Sequence, residues 1–312
     1  MNQEIMRSKT VRDIYLNISH FLDHFVMLIF AKAAYDAGNY FGLTYDEIIV
    51  YGTLSFVFFG AFAPLASYLA DKFSRALLMV IYHFGIAVAS IIAGISSSLF
   101  ILSLSLAIIG IFASIYHPVG TAMLLAKNER TGFRLGINGV YGNMGVAAAP
   151  LVLGAILLFG NWRSCFIISG IFCLIYGVIF FLALENNPSL KQTKTLQLNR
   201  SFAKNWQWAL ASISISTIAG GFIFGAMTFI IPRYFEIYLV DISTSVAVTG
   251  ALAAAVYACA SFSQLVVGRL IDIYSPKLIL LYTAVGQIIF IFFASALHNW
   301  YLFFISLVAI CF

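Results

Sequence analysis

Apolar runs long enough to cross a bilayer recur along almost the whole chain, and each closes on a short polar or charged turn. A membrane-crossing helix needs about 20 such residues, whereas a lipid-embedded barrel would alternate apolar and polar positions, and no such alternation is present. The runs predict helices α1 at 14–36, α2 at 46–70, α3 at 76–95, α4 at 99–123, α5 at 136–159 and α6 at 163–184. A polar linker over 185–205 follows, then α7 at 206–235, α8 at 244–268 and α9 at 277–296. A tenth run starts near Trp300 and reaches Phe312. The expectation is an all-α, polytopic membrane protein. Residues 1–184 form a six-helix bundle, 185–205 a cytoplasmic linker, and 206–312 a partial second bundle.

Composition supports this class. The chain is 62% hydrophobic and 9% charged, with a mean hydropathy of +0.98, whereas soluble domains carry about 25% charged residues. The net charge of +5 reflects topology rather than nucleic-acid binding. Of 17 Lys and Arg, 14 fall on one side: Arg7, Lys9, Arg12, Lys72, Arg75, Lys127, Arg130, Arg134, Lys191, Lys194, Arg200, Lys204, Arg269 and Lys277. The positive-inside rule makes that side cytoplasmic, with the N-terminus, in a bacterial inner membrane. Asp36, Asp46, Glu47, Glu236 and Asp241 then lie outside. The four cysteines sit in apolar runs without a Cys-x-x-Cys spacing, and no phosphate-binding Gly-x-x-x-x-Gly-Lys-Ser/Thr loop occurs. No cofactor, metal or nucleic acid is expected. The expected partners are the bilayer, a small-molecule solute and protons, with the chain acting as a monomer.

One short motif occurs twice. Ser67-Tyr68-Leu69-Ala70-Asp71-Lys72-Phe73-Ser74-Arg75 closes α2, and Gly268-Arg269-Leu270-Ile271-Asp272-Ile273-Tyr274-Ser275-Pro276-Lys277 closes α8. Asp272 lies 201 residues after Asp71, and the same offset aligns Lys32 with Arg233 and Gly85 with Gly286. Such a period in an apolar chain indicates two homologous bundles in tandem. The motif resembles the Gly-x-x-x-Asp-Arg-x-Gly-Arg loop of the major facilitator superfamily, with Ser67 and Ser74 in place of glycines. The resemblance implies a secondary transporter working by alternating access, with Asp71, Lys72, Arg75, Gly268, Asp272 and Lys277 in its gating loops. The segment Tyr116-His117-Pro118-Val119-Gly120 and the opening His20-Phe21-Leu22-Asp23-His24-Phe25 resemble the fosmidomycin-resistance branch. In the superfamily, helices 1, 4, 7 and 10 line the central cavity.

The candidate chemistry gathers on α1 and α4. His20, Asp23 and His24 stand at i, i+3 and i+4, on one helix face. Asp23 lies ~14 Å along α1 from Ile14, so a bare carboxylate there needs a proton, a partner or water. On α4, Pro118 removes a backbone hydrogen bond beside His117 and creates a gate or proton stop. Tyr116 offers stacking to solute, and Asn143 either an interhelical hydrogen bond or a polar contact to solute. Lys32 and Arg233, near the outer ends of α1 and α7, either reach the headgroups or flank the cavity mouth and attract an anion. Gly136, Gly139, Gly142 and Gly145, followed by Pro150 and Gly154, form a small-residue stripe for close helix packing. The segment Gly145–Gly154 also resembles the helix 5 signature of exporters in the superfamily, with Ala149 in place of a glycine. His83 is expected to be packed or interfacial.

These observations predict proton-coupled secondary transport, with export of a drug-like or anionic solute, and no enzyme activity. Two alternatives stay open. The 201-residue offset ends the chain inside its tenth helix, which predicts a truncated, non-functional or regulatory form. His20-x-x-Asp23-His24 also echoes the His-x-x-Glu-His signature of zinc enzymes, but without the glutamate base.

Overall fold

The computed structural model describes residues 2–125, 131–187, 190, 205–238 and 246–296. All nine predicted spans are helical. They are α1 (Thr10–Phe41), α2 (Tyr45–Lys72), α3 (Arg75–Ile95), α4 (Leu99–Leu125), α5 (Thr131–Phe159), α6 (Trp162–Asn186), α7 (Trp206–Tyr238), α8 (Val246–Ile273) and α9 (Pro276–Ala296). The tenth run and most of the 185–205 linker lie outside the described residues.

Local chemistry sets most of the helix ends. Gly42 takes a left-handed φ of 69° at the end of α1, and the Leu43 N–H turns back to the Gly38 carbonyl at 2.9 Å. Thr44 and Glu47 form a reciprocal capping box that starts α2. Ser74 and Ser98 accept from the third helical N–H of α3 and α4 at 3.3 Å, and Asn161 caps α6. Three spans are interrupted: α1 at Leu28, α2 at Phe62 just before Pro64, and α4 around Pro118. In α4 the chain widens into a π-helical turn over Tyr116–Gly120, because Pro118 has no N–H to return to the preceding turn.

The first helix of the chain begins at Asn2 rather than at 14, and α5 begins at Thr131 rather than at 136. Arg134, read from the sequence as a loop cation, therefore stands on a helix. The N–H groups of Gly132 and Phe133 in its first turn are met by Asp272, from the end of α8.

Helices α1–α6 enclose one apolar core around Leu16, Leu22, Met79, Tyr82, Leu102 and Phe166, all at most 1% exposed. Their outer faces are also apolar. On α6, Ile168, Ile171, Phe172, Ile175, Val178 and Ile179 are all exposed. Among the described residues, eight helices are long and apolar enough to span a bilayer. An apolar core inside an apolar shell is the arrangement of an integral, multi-pass membrane protein. Helix α8 buries Ala254, Val256, Tyr257, Ala260 and Gly268, whereas α9 is exposed along most of its described length.

Candidate functional site

Three helices bring the histidines together. Near the middle of α1, the His20 and His24 rings lie 4.9 Å apart, and His117, on the π-helical turn of α4, stands edge-on to both at 5.2 and 5.4 Å. The widened turn is what rotates His117 inward beside Tyr116, which stacks on His20 at 4.8 Å. From α5, the Asn138 carbonyl lies 2.7 Å from His20 Nδ1. A carbonyl only accepts, so Nδ1 carries the proton and Nε2 of a neutral His20 presents a lone pair. That Nε2 lies 3.1 Å from Nε2 of His24. The Asn138 side chain donates to Asn17 Oδ1 at 2.8 Å and to the Tyr116 hydroxyl at 2.9 Å. Tyr116 in turn donates to the Leu16 carbonyl at 2.9 Å.

Asp23 is wholly buried, and Nε2 of His117 lies 3.6 Å from its Oδ2. Neither carboxylate oxygen has a hydrogen-bond partner among the described residues. Tyr82 on α3 is near, but its hydroxyl donates to the Ser19 carbonyl at 2.9 Å. The His117 side chain is 42% exposed, so the cluster is closed on the Asp23 side and open on the other.

The structure sorts the remaining candidates. His83 is packed as expected, against Tyr176 and Phe180, with Nε2 3.0 Å from the Ser19 hydroxyl. Asn143 is half-buried and makes no hydrogen bond to the cluster among the described residues; the α5 amide there is Asn138. Lys32 is half-buried with its stem along α5 near Gly154. Arg233 lies on α7, with its side chain outside the described residues, so its pairing with Lys32 is outside them too.

The glycine stripe divides between two neighbours. Gly142 leaves room for the His20 ring, since a Cβ there would sit 2.6 Å from Cε1, and Gly145 lies against the Phe21 backbone of α1. Gly132 and Gly136 meet the α8 backbone at Gly268 and Gln264, while Gly139 faces the Gln264 side chain. At one end of this contact, the Asp272 carboxylate accepts from the Gly132 N–H at 2.7 Å and the Phe133 N–H at 2.8 Å. A negative charge at a helix N-terminus satisfies otherwise unpaired donors and the helix dipole together. Arg134 pairs with Asp13 of α1 just beyond.

The first motif copy does less in this chain. Asp71 is exposed and, among the described residues, reaches only Arg75 across the turn at the start of α3, at 3.8 Å, and Lys72 lies over the Tyr68 ring. Lys277 is exposed at the start of α9. Removing the Asp272 cap should cost the α5–α8 contact about 1 kcal/mol, a fivefold shift in any balance between its made and broken forms. Asp272→Ala is therefore expected to lower the disulfide yield between cysteines placed at Gly139 and Gln264. An unchanged yield would remove Asp272 from this role.

This architecture has matches among known proteins. The family model of the Major Facilitator Superfamily matches residues 16–312. The chain belongs to the Major Facilitator Superfamily. Among characterised structures it resembles an inward-facing, occupied bacterial homologue of the human lysosomal transporter Spinster. That match has a TM-score of 0.66 and 18% identity, over 99% of this chain and 71% of that one. The unoccupied form of the same homologue gives 0.63 and 16%, over 97% and 72%. At such identity the likeness concerns the fold. In sequence, the chain is 27% identical over 177 residues to YqjV of Bacillus subtilis, an uncharacterised transporter of this superfamily, covering 54% of this chain and 42% of that protein. It is 27% identical over 149 residues to the membrane sensor protein UhpC of Salmonella typhimurium, covering 47% and 34%. It is also 25% identical over 160 residues to the probable sulfoacetate transporter SauU of Cupriavidus necator, covering 50% and 37%. The matched regions thus span less than half of each of these relatives. The fosmidomycin-resistance branch stays a resemblance.

Proposed function

We propose that this superfamily member is a secondary transporter of the bacterial inner membrane, with a cytoplasmic N-terminus, and that it moves a small solute by alternating access coupled to protons. Residues 1–184 and 206–312 rock about the cluster, and the α5–α8 contact closes the cytoplasmic side when the outer side is open. The supporting observation is the cluster itself: a buried carboxylate, Asp23, beside an imidazole that faces open space, at the meeting of α1, α4 and α5. Tyr82 on α3 and Tyr116 and His117 on α4 face Asp23, and its own helix carries His20 and His24, whose rings meet His117. A proton exchanged there changes the charge of a dry site, which is what couples it to movement. The solute is drug-like or anionic and moves outward. The half-buried Lys32 and the relative described as a probable sulfoacetate transporter both favour an anion. Transport, not catalysis, is the activity, and the chain works as a monomer.

A thermal-shift screen at two pH values identifies the solute, and flux into proteoliposomes in chelator-treated buffer then tests the coupling. Wild-type flux is expected to follow the imposed pH gradient, and Asp23→Asn flux to be insensitive to it. Identical pH dependence in the two would reject Asp23 as the coupling group. A second, regulatory reading draws on the likeness to a membrane sensor protein. Solute binding without flux in either variant would favour it.

A further inference from the structure

The histidines are arranged for more than proton exchange. His20, His24 and His117 each present a ring nitrogen, and these three atoms lie within 4.8 Å of one another. A tetrahedral zinc-class ion with bonds of about 2.0–2.1 Å holds its ligand nitrogens about 3.3 Å apart. The His20 and His24 Nε2 atoms, 3.1 Å apart, are already at that spacing. His117 reaches it by a shift of roughly 1.5 Å, within the range of a side-chain rotation.

Three independent features point the same way. The bond from His20 Nδ1–H to the Asn138 carbonyl fixes the tautomer that turns a lone pair on Nε2 toward His24 and His117. Outer contacts of that kind orient metal-binding imidazoles. Asp23 supplies a buried carboxylate without a hydrogen-bond partner among the described residues, placed 3.6 Å from His117. It is therefore positioned to balance part of a double positive charge. Finally, the 42% exposure of the His117 side chain leaves a coordination position open, as an exchangeable ion requires and a closed structural site does not.

We propose that His20, His24 and His117 bind one divalent first-row transition cation of the zinc, nickel or cobalt class, with the Asp23 carboxylate alongside as charge partner. Imidazole-rich donor sets select this class over magnesium or calcium, which take oxygen ligands. Tyr116 below His20 and Phe59 beside His117 wall the site with aromatic rings. The binding site stands on these contacts alone; its use as cargo or coupling ion rests on the transporter reading above.

The test is a cobalt titration of the purified full chain in detergent, read by visible absorption. One equivalent of Co²⁺ is expected to give the intense d–d bands of a four-coordinate site, and Zn²⁺ to abolish them by displacement. His24→Ala and His117→Ala should each weaken binding by at least about tenfold, while His83→Gln leaves it unchanged. His117→Cys keeps a ligand and should add a thiolate-to-cobalt charge-transfer band, which a misfolded protein would not show. Absence of the bands in the wild type, or bands indifferent to both alanine variants and without the thiolate transition in His117→Cys, would overturn the site. Flux in chelated buffer reports separately, so pH-driven transport without cobalt binding defeats this inference and leaves the transporter reading in place.

Discussion

Gly145→Leu is expected to yield almost no folded protein, whereas Gly154→Leu, nine residues along the same helix, should be nearly neutral. At Gly145 a new Cβ would run into the Phe21 carbonyl, a backbone group inside α1 that cannot rotate away. The two helices would have to separate along the line that carries His20 and Asp23. Overpacking a well-filled interior costs about 1–3 kcal/mol where side chains can adjust, and more where backbone must move. At Gly154 the nearest atom to such a Cβ is the end of the Lys32 stem at 3.5 Å, ordinary contact with a flexible chain. Yield of monodisperse protein in detergent and its thermal midpoint check the contrast. Equal stability of the two variants would mean that α1 and α5 are not held together at Gly145.

Gly136→Leu is expected to fold and yet fail to close. Its neighbours are the Gln264 and Leu265 backbone of α8, not the α1–α6 core. The added side chain therefore leaves the first six helices intact and wedges α5 from α8. A variant with near wild-type stability, a lost Gly139–Gln264 disulfide and flux reduced by at least about fivefold is the expected combination, since a wedge of about 1–3 kcal/mol shifts a two-state balance by that order or more. Loss of folding, as at Gly145, would show that the α5–α8 contact holds the protein together and does not open.

The two glycine predictions also show what the sequence could and could not reveal. The three-residue spacing exposed the stripe, but not that it serves two neighbours, because that division depends on how α5 crosses α1 and α8. The α1 triad was legible from its i, i+3, i+4 spacing, and the kink beside His117 from Pro118. The convergence of His117 on His20 was not, because it depends on the widened turn of α4. Asn138 was missed, although a signal existed. It stands four residues before Gly142 and so shares the helix face that meets His20, whereas Asn143 is one residue beyond and turned about 100° away. The contact that Asp272 makes with the first turn of α5 comes from about 140 residues downstream, so no local pattern in the sequence announces it. The motif that revealed the repeat thus also supplies a contact between α8 and α5.

The central claim is that the α5–α8 contact opens and closes in the course of transport. Spin labels at Leu135→Cys on α5 and Ile271→Cys on α8, both 37% exposed, report on it directly when the native cysteines are replaced and the chain is reconstituted in bilayers. Pulsed dipolar spectroscopy is predicted to find a short and a long distance in exchange, with Asp272→Ala raising the long population and Gly136→Leu leaving almost nothing else. A single short distance, unchanged by solute, pH or either substitution, would contradict alternating access at this contact.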